Sequence, residues 1–142
     1  MTAATSDPFF HGSAVTLEGR GVLMIGPSGA GKSAMAAELV SRGGLLVGDD
    51  RLQMSHEPQG LFAAPRPGFE GQLECRGVGI LTVPHTRRAR LHLVVDMGRE
   101  ERDRLPPPRE ILLLGCKLPL LHRAGDGHFA AALMLQLQML DP

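Results

Sequence analysis

The chain has 142 residues, enough for one domain with a sizeable hydrophobic core and too few for two such domains. Fifteen Lys and Arg residues balance fifteen Asp and Glu residues, so no net basic charge is available to attract nucleic acid or an anionic membrane. Trp and Tyr are absent and only five Phe occur, which also argues against a surface for stacking nucleic-acid bases.

The N-terminal segment predicts neither a leader peptide nor a membrane anchor. The run MTAATSDPFF lacks the basic and apolar regions of a signal peptide, and no apolar run in the chain reaches membrane-spanning length. The two cysteines, Cys75 and Cys116, have no metal-ligand spacing and are interpreted as reduced thiols. We therefore expect a cytoplasmic protein with one domain, residues 1–142, in which residues 1–8 form a loose tail.

The first two predicted strands form a hairpin. Residues 13–17, SAVTL, show the mixed polar and apolar pattern of a strand, and residues 22–25 form a short apolar run. The turn between them, Glu18-Gly19-Arg20-Gly21, is too short for a crossover connection. The two strands are therefore predicted to pair antiparallel.

Residues 26–33 have the sequence GPSGAGKS, a full match to the G-x-x-x-x-G-K-[ST] phosphate-binding loop. An apolar strand precedes this motif and a helix-forming run follows it, which is the setting that the motif requires. Glycines let backbone N–H groups approach phosphate oxygens, the lysine adds a positive charge, and the serine hydroxyl can bind Mg²⁺. The candidate nucleotide-binding residues are Gly26, Pro27, Ser28, Gly29, Ala30, Gly31, Lys32 and Ser33. The chain is therefore predicted to bind a nucleoside triphosphate.

A helix and a buried strand follow the loop. The helix is predicted over residues 32–42, because Gly43-Gly44 is a good C-terminal signal. Residues 45–48 predict a short buried strand that leads directly to Asp49-Asp50. Because the phosphate loop follows the second arm of a hairpin, not the first strand of a parallel sheet, we expect an α/β domain with a mixed sheet.

The rest of the chain predicts further strands and one more helix. In chain order, the predictions are a hairpin from residues 51–55 and 61–64, a Pro- and Gly-rich loop at 64–71, strands at 78–83 and 90–96, an exposed loop at 99–109, and a packed helix at 129–140. No internal repeat and no linker divides the chain.

Carboxylates at strand ends are the candidates for metal binding and proton transfer. Asp49 and Asp50 directly follow an apolar strand, where they suit either Mg²⁺ and general-base chemistry or a solvated turn. Asp96 ends the apolar run LHLVVD and competes with them for the metal-holding role. His11 precedes the hairpin and could steer a nearby carboxylate, although an isolated loop histidine is more often a surface residue. Glu74, beside a glycine-rich turn, is either a metal ligand or a charge at a strand edge.

Several of these segments share their pattern with one family. The shared pattern begins with His11-Gly12. It continues with the hairpin and phosphate loop, GRGVLMIGPSGAGKS, and then with SRGGLLVGDD, which ends in the paired aspartates. LECRGVGILTV, residues 73–83, is close to the signature E-I-R-G-x-G-I, and ERDRLPPP is similar to a later D-R-L segment. Over residues 9–120 the chain resembles the catalytic domain of HPr kinase/phosphorylase, which modifies a serine of the bacterial phosphocarrier protein HPr. The implied fold is that of phosphoenolpyruvate carboxykinase, a mixed sheet with helices packed beside it.

The resemblance also implies how ATP and metal are held. Lys32 and the loop N–H groups would bind the phosphates, while Ser33 and Glu74 would hold the divalent cation, Mg²⁺.

Four more residues receive catalytic roles from the same resemblance. Asp49 would act as base toward the substrate serine, and as acid in the reverse phosphorolysis. His11 would tune this carboxylate, and Asp50 would assist it. Arg104 matches a later catalytic arginine of the family.

Two departures from the family pattern limit these expectations. The long members carry a separate N-terminal domain that has no counterpart here, and residues 118–142 have no clear match, so this chain resembles a short form of the family. The apolar final helix favours association, and we expect a homo-oligomer that binds neither nucleic acid nor membrane.

Three functions remain open at the level of the sequence. The leading hypothesis is an ATP-dependent protein serine kinase that acts on an HPr-like phosphocarrier and also phosphorolyses the phosphoserine. The alternatives are a small-metabolite kinase with the same loop and a non-enzymatic regulator that senses nucleotide.

Overall fold

The computed structural model describes residues 7–125 and 127–142, so most of the predicted tail lies outside the described residues. The strands are β1 (Phe10–His11), β2 (Ser13–Leu17), β3 (Arg20–Ile25), β4 (Leu45–Gly48), β5 (Arg51–Glu57), β6 (Gly60–Pro65), β7 (Gln72–Cys75), β8 (Gly79–Thr82), β9 (Ala89–Glu100), β10 (Glu110–Leu113) and β11 (Cys116–Arg123). The helices are α1 (Lys32–Ser41) and α2 (Phe129–Gln138). Each helix has ten residues, and within the described chain neither meets the length that a membrane-spanning helix needs.

The main sheet is mixed, as the hairpin predicts. Strand β2 pairs antiparallel with β3 over the full length of the hairpin, with Ser13 opposite Met24. The other edge of β2 pairs antiparallel with β4, whereas β3 pairs parallel with β9. The strand order is β1-β5-β6-β9-β3-β2-β4, with the β10–β11 hairpin joined to the far end of β9. The phosphate loop therefore emerges from the middle of the sheet, between β9 and β2.

Strand β3 is buried on both faces in its central part, residues 21–24, because Val22, Leu23 and Met24 are apolar. Val22 and Met24 pack with α1 and α2 through side chains such as Leu39 and Leu137. Leu23 points to the opposite face and packs in a second buried cluster that includes Leu52. The alternation of side chains along a strand thus ties the loop-bearing strand into two apolar layers at once.

The predicted helices and the β5–β6 hairpin are confirmed, but the region after residue 96 differs from prediction. Strand β9 continues to Glu100, so the expected loop at 99–109 begins two residues later. The sequence of residues 110–123 predicts no element, yet it forms the β10–β11 hairpin. Pro119 lies inside β11, and a proline within an apolar run argues against a strand, which is why this hairpin escaped prediction.

Strands β7 and β8 form a separate two-stranded sheet. The predicted strand at 78–83 is β8, paired antiparallel with β7, so that Glu74 lies opposite Ile80. Leu73 of β7 is buried in the same cluster as the helices, and α1 lies against this strand. The hairpin thereby brings Glu74 toward the N-terminal end of α1.

Candidate functional site

The phosphate loop leaves β3 after Ile25 and ends where α1 begins at Lys32. Gly26 has φ 138°, and a Cβ there would lie 3.0 Å from the backbone nitrogen of Gly98 in β9. A Cβ on Gly98 would in turn approach the Pro27 ring to 2.8 Å. The loop therefore packs against the neighbouring strand so closely that side chains at these two positions do not fit.

The Lys32 ammonium folds back over its own loop. Its Nζ donates to the carbonyl oxygen of Gly26 at 2.7 Å and to that of Pro27 at 3.2 Å. These bonds hold the positive charge close to the backbone of the loop that would bind phosphate oxygens.

Asp49 is held by donors from three separate elements. Its Oδ1 accepts hydrogen bonds from the Ser33 hydroxyl at 2.7 Å and the Ser13 hydroxyl at 2.8 Å. Its Oδ2 accepts a longer bond from the Glu74 backbone N–H at 3.4 Å. Helix α1, strand β2 and strand β7 thus converge on one carboxylate directly beside the phosphate loop.

The loop, the paired aspartates and β7 enclose one cavity of about 640 Å³. Its lining includes Ser28, Lys32 and Ser33 from the loop, together with Asp49, Asp50 and Glu74. A volume of this size is typical of small-ligand sites in proteins. The structure therefore brings together in space the phosphate-binding residues and three of the predicted carboxylates.

The oxygen ligands in this cavity fit a magnesium ion. The Ser33 hydroxyl lies against Asp49, and the Glu74 carboxylate lines the same space. Among the described residues no group of three or more His, Cys, Asp or Glu side chains forms a protein-only metal site. Mg²⁺ is usually held by one or two carboxylates together with substrate phosphates and water, and it does not require such a cage.

His11 contacts Asp7 and lies outside the cavity lining. Its Nε2 is 2.7 Å from Asp7 Oδ2, and the same oxygen accepts a hydrogen bond from Arg51 at 2.7 Å. The backbone N–H of Phe9 and the imidazole of His11 lower the pKa of Asp7. Arg51 also approaches Asp50, with 3.8 Å between Nε and Oδ2. Through the described side-chain contacts, the His11 imidazole therefore reaches Asp50 by way of Asp7 and Arg51.

Asp96 and Arg104 also lie outside the described lining of the cavity. Asp96 is opposite Ile25 in the parallel β3–β9 pair, but its Oδ1 accepts the Gly98 N–H at 2.9 Å. Arg104 is exposed in the segment between β9 and β10. Of the two aspartates that follow apolar runs, Asp49 lies beside the loop, whereas Asp96 accepts a hydrogen bond from the backbone of its own strand.

The sequence analysis did not identify Ser13 as a residue of the site, although it contacts both of the paired aspartates. Its side chain is fully buried and bonds both to Asp49 Oδ1 and to the backbone N–H of Asp50. The available signal was a serine at the start of a strand that is otherwise buried and largely apolar, because a buried hydroxyl requires a partner.

Comparison with known proteins identifies a family that matches most of the chain. The family model described as HPr Serine kinase C-terminal domain matches residues 3–103. The chain is 36% identical over 124 residues to HPr kinase/phosphorylase of Caldicellulosiruptor bescii, covering 78% of this chain and 40% of that protein. It is 37% identical over 108 residues to HPr kinase/phosphorylase of Bordetella pertussis, covering 68% of this chain and 35% of that protein. The chain thus spans well under half the length of these relatives.

A solved structure shows the same fold. The HPr(Ser) kinase/phosphatase of Coxiella burnetii superposes with a TM-score of 0.76, covering 92% of this chain and 93% of that chain, at 21% identity. This likeness confirms the predicted α/β domain with a mixed sheet. Together with the extent of the family match, it leads to one conclusion: the chain belongs to the HPr serine kinase C-terminal domain family.

Proposed function

We propose that the chain is an ATP-dependent protein serine kinase that phosphorylates an HPr-like phosphocarrier protein in the cytoplasm. The same site would run the reverse transfer from phosphoserine to inorganic phosphate. The observation that carries the proposal is the position of Asp49, which shares one cavity with the phosphate loop and lies 2.7 Å from the Ser33 hydroxyl. The relatives named HPr kinase/phosphorylase support the choice of substrate.

In the forward reaction the substrate serine oxygen forms a bond to the γ-phosphorus as the bond between that phosphorus and the bridging oxygen of ADP breaks. Asp49 accepts the proton of the serine hydroxyl. In the phosphorolysis, an oxygen of inorganic phosphate bonds to the phosphorus of phosphoserine as the bond to the serine oxygen breaks. Pyrophosphate leaves, and Asp49 passes a proton from the incoming phosphate to the serine oxygen. Lys32 and the loop N–H groups hold the phosphates. A positioned general base contributes about 10²–10⁴-fold to such a transfer.

Magnesium, when bound, would neutralise phosphate charge, and Ser33 and Glu74 are the residues we propose to hold it. Asp50 lines the cavity beside Asp49 and would assist at the same carboxylate site. The catalytic roles of His11 and Arg104 stay predictions, because both side chains are exposed and neither lines the described cavity.

The test is mass spectrometry of purified HPr after incubation with this protein, ATP and Mg²⁺. We expect the mass of HPr to rise by one phosphoryl group on serine. Asp49→Asn should abolish the transfer and leave ATP affinity near that of the wild type, because Asp49 lies beside the loop but is not part of it. Asp96→Asn is the matched control and should retain transfer, because its carboxylate bonds to Gly98 outside the cavity lining.

Two outcomes would overturn the assignment of Asp49. One is a loss of ATP affinity in Asp49→Asn as large as that in Lys32→Ala, and the other is an equal loss of transfer in Asp96→Asn. Tight ATP binding by the wild type without transfer to HPr would instead indicate a nucleotide sensor. Transfer to a small metabolite in place of HPr would indicate a metabolite kinase.

A further inference from the structure

Ser13 links the phosphate loop to the paired aspartates through the sheet. It begins β2, where it is opposite Met24, and Met24 lies two residues before the loop. On the other edge of β2, its neighbour Ala14 is opposite Gly48, the last residue before Asp49. Ser13 therefore sits at the end of the sheet from which both parts of the site emerge.

The Ser13 hydroxyl is bonded on both sides. It donates to Asp49 Oδ1 at 2.8 Å and accepts the Asp50 backbone N–H at 3.2 Å. The side chain is fully buried, so water does not compete for either bond. One hydroxyl thus orients the Asp49 carboxylate and holds the backbone that follows it.

The backbone at Asp50 needs such support. Asp50 has φ 68°, and the Arg51 N–H donates to the Asp49 carbonyl at 2.7 Å, which closes a tight turn around Asp50. A residue other than glycine in the left-handed region is strained, and the strain persists only where neighbouring groups enforce it. Here the backbone of Gly12 donates to the Asp50 carbonyl at 3.1 Å, so Gly12 and Ser13 hold both backbone polar groups of Asp50.

We propose that Ser13 is a positioning residue for phosphoryl transfer, which it supports by fixing the orientation of Asp49. The inference rests on the proposed function, because it assumes that Asp49 is the base. Ser33 also donates to Oδ1 of Asp49, and it is the residue proposed to turn toward magnesium. Ser13 is then the hydroxyl that keeps the carboxylate in place during the reaction.

The test compares Ser13→Ala with Ser13→Thr in steady-state phosphorylation of HPr. Ser13→Ala should lower kcat about 10–100-fold, because a displacement of about 1 Å at a catalytic group can cost that much, while KM for ATP stays near that of the wild type. Ser13→Thr keeps the hydroxyl and should restore most of kcat. Faster hydrogen exchange at the Asp50 amide of Ser13→Ala should report the lost backbone bond independently of turnover.

Thr16→Val is the matched control, because Thr16 lies on the same strand and its buried hydroxyl has no hydrogen-bond partner among the described residues. This variant should have the kcat of the wild type. Wild-type kcat in Ser13→Ala, or an equal fall in Thr16→Val, would overturn the inference and leave the proposed function intact. No HPr phosphorylation by the wild type would instead remove the proposed function, and this inference with it.

Discussion

Lys32 is the only charged residue of the phosphate loop and one of two lysines in the chain. Its ammonium donates to two carbonyl oxygens of its own loop, which hold the charge at that loop. A compact ammonium on a flexible stem can exchange these carbonyl oxygens for phosphate oxygens with little rearrangement. The Lys32 ammonium is therefore held at the loop and can transfer its hydrogen bonds from carbonyl oxygens to phosphate oxygens when nucleotide binds.

We expect Lys32→Met to weaken ATP binding about 10–100-fold, the range expected when a charge-assisted hydrogen bond is lost. Isothermal titration calorimetry on the purified variant gives the affinity directly. Lys117→Met is the control, because Lys117 is exposed on β11 and should leave the affinity unchanged. Equal affinities for Lys32→Met and the wild type would contradict the role of the loop.

The segment that carries Arg104 is closed by an ion pair between its ends. Arg109 bonds to Glu101, whose side chain is only 8% exposed. The hydrogen bond from Arg109 lowers the pKa of Glu101, with further bonds from the backbone N–H groups of Asp103 and Arg102. The stability that Glu101 contributes is therefore present at pH values above its ordinary pKa of 4.5 and is lost as the pH falls through the lowered value.

Glu101→Gln should therefore unfold at a lower temperature than the wild type at pH 7, and the gap should close as the pH falls below 4.5. Thermal unfolding followed by circular dichroism between pH 7 and pH 3 measures this gap. A gap that is constant over this range would show that the ion pair contributes nothing that depends on protonation.

At the scale of elements, both helices pack on the same face of the main sheet, each through a few buried apolar side chains. Helix α2 buries Ala130, Leu133, Met134 and Leu137, while Leu135 on the same helix is 64% exposed. Because α2 contacts α1, β2 and β3, it supports the strand and the helix on either side of the phosphate loop. Its apolar face is therefore a structural requirement of the site.

Leu137→Ala should lower the free energy of unfolding by about 2–5 kcal/mol, since it removes a fully buried side chain and leaves a cavity. Leu135→Ala removes the same group from the exposed side of the helix and should change the free energy by about 0.5 kcal/mol or less. Urea denaturation of both variants measures the difference. Equal destabilisation would mean that α2 does not pack as described.

Local sequence patterns predicted those elements whose residues favour only one structure. The β2–β3 hairpin and α1 are examples, because a four-residue turn and a Gly-Gly stop leave little choice. The β10–β11 hairpin could not be predicted in the same way. Its stability comes from pairing with β9, more than twenty residues earlier in the chain, and that contact outweighs the local effect of Pro119.

At the scale of the whole molecule, several large apolar side chains face outward. Val78 is 75% exposed, Leu105 is 88% exposed and Met139 is 81% exposed. They come from the β7–β8 turn, the segment after β9 and the end of α2. Single exposed apolar residues are ordinary in folded proteins, and association of copies would bury them.

We expect native mass spectrometry at micromolar concentration to show a homo-oligomer, because association would remove these apolar side chains from water. Leu105→Ser and Met139→Ser should each shift the population toward smaller species. A monomer across the micromolar range in the wild type would contradict the expectation.

The sequence alone determined that a phosphate loop follows a hairpin, because eight consecutive residues and a short turn specify that geometry locally. Residue patterns left Asp96 as a competitor of Asp49 for the metal-holding role, since each follows an apolar run, and only the family resemblance favoured Asp49. The tertiary structure supplies the physical difference: β4 ends at Gly48, so Asp49 lies beside the loop, whereas β9 continues past Asp96 to Glu100. Where a strand ends depends on its neighbours in the sheet, which are distant in the chain. For the same reason the link from Ser13 to Asp49, across 36 positions, emerged only from the folded molecule.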